Sequence, residues 1–154
     1  MKMKYIAIML AFAVILSAFS VSGAAISGEI VREEIITCVD GGTLTITVFE
    51  SPTRSSNTKS GSSVYIRRDS DGTEQWRCVL NATFTYDGTT SKATSASATF
   101  TPANSNWYKD TLYTYRAGNT AYADLTVGQK FLGITVDTFR YTFTLSCDKD
   151  GNLS

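Results

Sequence analysis

Five aromatic residues, Trp107, Tyr108, Tyr113, Tyr115 and Tyr122, lie within a window of 16 positions. In an extended chain alternate residues share a face. The run "NWYKDTLYTYR" then places Trp107, Tyr113 and Tyr115 together and Tyr108 opposite, with Tyr122 arriving from the hairpin partner "TAYADLTV". Rings with apolar faces and polar tips, set among Asn, Asp and Thr, suit stacking on sugar rings or docking on a protein surface. Core packing and ordinary cross-strand pairing account for the same residues without any ligand. Exposure of Trp107, Tyr113 and Tyr115 separates the two readings.

Three cysteines, Cys38, Cys78 and Cys147, form the second chemical set. In an exported domain they imply one bridge and one remaining thiol. Loop entropy does not choose the pair, because each possible loop is worth roughly 4 to 5 kcal/mol. Side-chain direction is a better guide. Cys78 alternates with Trp76, Leu80 and Phe84, and Cys147 with Phe143 and Leu145, so both sulfurs point into a core. The expectation is a Cys78–Cys147 disulfide, with Cys38–Cys147 as the alternative and Cys38 otherwise unpaired.

Other chemistry is missing. The chain has no histidine, which removes Ser-His-Asp and Cys-His nucleophile systems and the commonest transition-metal ligand. It has no Cys-x-x-Cys spacing and no glycine-rich phosphate loop. The acidic turns "DSDGT" and "DKDGN" resemble calcium loops in part, but Gly151 is fourth where an EF-hand needs it sixth, and no closing Glu follows. The expectation is no catalytic residue, no metal and no cofactor.

The elements that hold these residues read as strands. In "TLTITVFE", Leu44, Ile46 and Val48 take one face and the threonines with Phe49 take the other. In "EQWRCVLNATFTY", Trp76, Cys78, Leu80, Ala82, Phe84 and Tyr86 align. In "FLGITVDTFRYTFTLSC" the apolar phase changes between Val136 and Phe139, which calls for a bulge or bend near Asp137. The segment "EIVREEIITCV" is a short helix or a strand. The polar run from Ser51 to Ser63 has no periodicity and reads as a long crossover loop. About eight or nine strands at this spacing indicate an all-β fold, an antiparallel β-sandwich of immunoglobulin-like architecture. The immunoglobulin pattern itself fails, since no Trp follows Cys78 closely and Leu145, not Tyr, lies two before Cys147.

The first residues read as a signal peptide, residues 1–24. Lys2 and Lys4 precede 15 uncharged, mostly apolar residues, Tyr5 to Phe19, and then the small residues of "SVSGAA". Fifteen is short of the ~20 that a membrane-spanning helix needs. Residues 25–154 then form a single β-sandwich domain, secreted and extracellular. Removing Lys2 and Lys4 leaves 12 basic against 14 acidic residues, a net charge of −2. That balance provides no attraction for nucleic acid or an acidic membrane.

From Cys78 onward, "CVLNATFTYDGTTSKATSASATF" and "FLGITVDTFRYTFTLSCDKDGNLS" resemble segments of small, secreted, uncharacterised bacterial proteins. The resemblance spans about half the chain. It implies a secreted bacterial β-sandwich whose late strand ends in a cysteine, and it carries no activity or site residues. The functional expectation is a secreted non-enzymatic binding module for cell-envelope or extracellular glycans. The alternative is an extracellular structural or protein-interaction domain, oligomeric through β edges or Cys38, with a cell-surface protein as partner.

Overall fold

A computed structural model describes residues 28–52 and 56–154, and the expected signal segment lies outside them. Eight strands follow in order: β1 (Glu29–Thr37), β2 (Thr43–Glu50), β3 (Thr58–Arg68), β4 (Glu74–Tyr86), β5 (Ser91–Pro102), β6 (Trp107–Ala117), β7 (Thr120–Phe131) and β8 (Ile134–Ser146). The first five form one antiparallel sheet and the last three another, each a simple meander in chain order. The fold is the expected all-β sandwich. Its likeness to immunoglobulin domains is that of two packed antiparallel sheets, joined here without Greek-key crossings.

Alternation builds the core. Trp76, Cys78, Leu80, Ala82 and Phe84 of β4 are all buried, as are Ala121, Ala123, Leu125 and Val127 of β7 and Phe143 and Leu145 of β8. Trp76 sits at the centre of an aromatic cluster, with ring centroids 5.1 Å from Tyr141, 5.9 Å from Phe100 and 6.4 Å from Phe143. Tyr65 of β3 stacks on Phe143 at 3.9 Å. Its hydroxyl donates to the Thr144 carbonyl at 2.8 Å and accepts from the Thr144 amide at 3.1 Å. β8 is the outer strand of its sheet, so this one hydroxyl satisfies backbone groups that have no strand to pair with.

The expected phase change in the last strand is present as a register shift. Gln129 pairs with Asp137 and Lys130 with Thr135, leaving Val136 extra. The segment 29–37 is a strand, not a helix, and it forms the outer edge of the larger sheet.

The polar run Ser51–Ser63 corrects the loop expectation, because β3 already begins at Thr58. Its small residues pair across the sheet: Ser60 with Thr83 at 3.0 Å, and the Ser62 hydroxyl with the Asn81 side-chain oxygen at 2.6 Å. On the inner side Leu153 lies in the space where a Cβ on Gly61 would project. A strand of Ser and Gly between two neighbours carries no hydrophobic period, so its sequence looks like a loop.

Candidate functional site

The outer face of the three-stranded sheet is the strongest candidate. Along β6 it carries Tyr108, Thr111, Tyr113 and Tyr115, in register with Gly128, Thr126, Asp124 and Tyr122 of β7. β8 continues the same rows with Thr138, Arg140, Thr142 and Thr144. Tyr113 is 67% exposed and Tyr115 45%. Tyr115 stacks on Tyr122 with centroids 4.7 Å apart and planes 2° from parallel. Desolvation, with the nearby charge of Asp124, pushes the Tyr115 phenol above its ordinary value. The Thr142 hydroxyl donates to Asp124 Oδ1 at 2.8 Å, fixing that carboxylate beside Tyr113. An open depression of ≈ 420 Å³ lies here, lined by Thr111, Tyr113, Asp124, Thr126, Arg140 and Thr142 among others.

The expected grouping of the aromatics needs one correction. Lys109 pairs with Val127 and Thr111 with Thr126, so Asp110 is an extra residue in β6. A bulge reverses the parity of the strand on one side of it. Trp107 therefore leaves the face of Tyr113 and Tyr115, and Tyr108 joins that face. Trp107 is buried, its ring tilted on Phe139 at 5.9 Å and its indole N–H donated to Gln75 Oε1 at 2.9 Å. It is a core residue. The half-buried Tyr108 lies across Gly128, where any Cβ would collide with its ring. Its hydroxyl is 3.0 Å from that of Thr135, and Lys130 Nζ sits 4.6 Å from its ring centroid. Tyr108 is tied down and Tyr115 leans on Tyr122, while Tyr113 is the most exposed of the three.

The sequence reading did not single out Asp124, Thr126, Arg140 and Thr142. The signal for those on β8 was the polar set that alternates with Phe139, Tyr141, Phe143 and Leu145.

The cysteines require the second correction. Cys78 and Cys147 are both fully buried, as their faces indicated, but all three cysteines are free thiols. Their levels in the sandwich explain why the expected bridge is absent. Cys78 is in register with Tyr65, which stacks on Phe143. Cys147 lies four residues beyond Phe143, about 13 Å further along an extended chain, well outside disulfide reach. Cys38 is half-buried against the edge of the core. Burial pushes the Cys78 thiol up to about 12 and raises that of Cys147. A thiol so protonated is a poor nucleophile. Alkylation of the folded domain is expected to label Cys38 alone, and alkylation in denaturant all three, as read by mass. A native species in which two thiols stay protected in denaturant until reduced would contradict the free-thiol structure.

The two calcium-like turns are held by their own amides. Asp69 Oδ1 accepts from the amides of Asp71 at 3.1 Å and Thr73 at 2.9 Å. Asp148 Oδ1 accepts from those of Asp150 and Asn152, both at 2.9 Å, and its Oδ2 from the Asn152 side chain at 2.7 Å. Among the described residues no three His, Cys, Asp or Glu gather as a metal site. The Asn152 hydrogen bonds hold Asp148 below its ordinary value. The Thr90 amide does the same for Asp87, and the Gly42 amide with the Arg67 charge for Asp40. A carboxyl whose folded value is depressed contributes stability above its ordinary value and loses it as pH falls through the folded one. The thermal midpoint is therefore expected to hold steady down to about pH 4 and to drop below it. Asp148→Asn should flatten that decline, and an unchanged slope would remove Asp148 from the account.

No protein-family model matches this chain, and no curated protein matches it. Among solved structures it is similar to the hypothetical protein lmo2686 from Listeria monocytogenes EGD-e. The TM-score is 0.47 and the identity 16%, covering 84% of this chain and 95% of that one. A likeness that distant adds nothing about function. The class defined by the chain itself is a two-sheet antiparallel sandwich with an aromatic and polar outer face.

Proposed function

We propose that the protein is a secreted, non-enzymatic binding module. Residues 1–24 direct export, and the outer face of β6, β7 and β8 takes an extracellular or cell-envelope glycan. The observation that carries this reading is the exposed Tyr113 beside Asp124, Arg140 and Thr142, with the stacked pair Tyr115 and Tyr122 next to it on the same face. Tyrosine rings offer flat apolar surface to the C–H face of a sugar. The carboxylate, guanidinium and hydroxyls supply the few directed hydrogen bonds that fix its orientation. Asp124 is the one carboxylate that lines the depression. Glycoside hydrolysis uses two, so binding without turnover suits the site better. Co-sedimentation of residues 25–154 with insoluble polysaccharides and bacterial cell walls tests this, with saturable retention as the expected result.

The second reading is a protein-interaction domain, favoured by the β7–β8 hairpin. Phe131, Leu132, Ile134 and Val136 are all exposed there, Leu132 at 87%. Leu132 also adopts φ 51, a left-handed conformation that an L side chain rarely takes. An apolar patch of this kind marks a contact surface. Loss of wall binding after protease treatment of the walls would support this reading over the glycan.

A further inference from the structure

We infer that the free edge of β1 is a self-association surface, and that two copies of this chain pair β1 to β1 about a twofold axis. The inference is independent of the glycan reading. Among the described residues β1 has β2 on one side and no strand on the other. Its aliphatic residues Ile30, Val31, Ile35 and Ile36 are exposed. Such an edge is a template for another strand unless its charges forbid it.

Here the charges select one partner. Arg32 and Glu34 share a face of β1, where they form an ion pair within the strand. An antiparallel pair of identical strands must be centred on one residue if opposed side chains are to share a face. Centred on Glu33, the strand "EIVREEIIT" sets Arg32 of each copy opposite Glu34 of the other and brings Ile35 of one copy toward Val31 of its mate, where a bulge in β1 ends the regular ladder. Centred on Arg32, two arginines face each other. Centred on Glu34, two glutamates do, and Arg32 meets Ile36. One register alone gives two opposite-charge pairs, and cross-strand pairs of that kind stabilise a ladder. Twofold pairing uses up both edges and closes the assembly, so the same charges that oppose open-ended stacking permit a dimer. The cost of this register is the Glu33–Glu33 contact on the axis.

The test is sedimentation equilibrium on residues 25–154, a segment whose core residues all lie between Leu44 and Leu153. The native chain is expected to dimerise. Arg32→Glu and Glu34→Arg, each alone, exchange two attractive pairs for two repulsive ones and should weaken the dimer about 10–50-fold. An equimolar mixture of the two variants restores both opposite-charge pairs and should dimerise as the native chain does. So should the double swap Arg32→Glu/Glu34→Arg. Recovery in the mixture also establishes that each variant is folded. Glu33→Gln removes the like-charge contact and should tighten the dimer. A native chain that stays monomeric across its soluble range overturns the proposal. So do single variants that associate as tightly as native, or a mixture that does not recover.

Discussion

Trp76→Ala should destabilise the domain by about 3–5 kcal/mol, the range for truncating a large aromatic in a packed core. Trp76 is fully buried between the sheets, in contact with Phe100 from its own sheet and with Tyr141 and Phe143 from the other. Removing the indole leaves a cavity that none of these rings can fill without leaving its strand's face. Domains of this size are stable by ~5–15 kcal/mol, so the variant should sit near the lower limit of folding. Urea unfolding followed by circular dichroism reads the change directly. Trp107, buried on Phe139, remains as a fluorescence probe. Trp76→Phe is the informative companion. The Trp76 indole N–H is buried without a hydrogen-bond partner, and an unpaired buried donor is itself unfavourable. Phenylalanine keeps most of the ring contact and removes that donor, so its cost should fall well below that of alanine. Equal losses in the two variants would mean that Trp76 does not hold the sheets together as described.

The faces of the strands were legible because alternation is a local property. Period two points six residues of "EQWRCVLNATFTY" and five of "FRYTFTLSC" inward, and the structure buries eight of the eleven and leaves Tyr86, Phe139 and Tyr141 half-buried. The phase change near Asp137 was legible for the same reason, since two apolar runs out of step demand an extra residue. The bulge at Asp110 gave no such warning. Aromatic residues occupy both faces of β6, so a parity reversal leaves no break in the pattern, and plain alternation puts Trp107 on the wrong side. The cysteines show a different limit. Alternation states that Cys78 and Cys147 point inward, but not at which level of the sandwich each one sits. That level follows from the strand register, which pairs Cys78 with Tyr65, itself stacked on Phe143, and puts Cys147 past the end of β8.

The second large effect concerns binding. Tyr113→Ala/Tyr115→Ala should reduce affinity for a retained glycan about 100-fold or more. Each ring contributes roughly a factor of ten if it covers a sugar face as a buried aromatic covers its neighbour. Both side chains are exposed on the outer face, so the variant should stay folded and lose only the Tyr115–Tyr122 stack, about 0.2–1 kcal/mol. Arg140→Ala should weaken binding less, by the loss of directed contacts without loss of the stacking surface. Trp107→Phe acts in the core and should leave affinity unchanged while lowering stability.

The most direct measurement is co-sedimentation of residues 25–154 with purified, protein-free cell-wall polysaccharide, beside the Tyr113→Ala/Tyr115→Ala variant checked for folding by circular dichroism. The glycan reading predicts saturable retention of the native chain and its loss in the folded variant. Equal retention of both, or none of either across the polysaccharides tested, would contradict it.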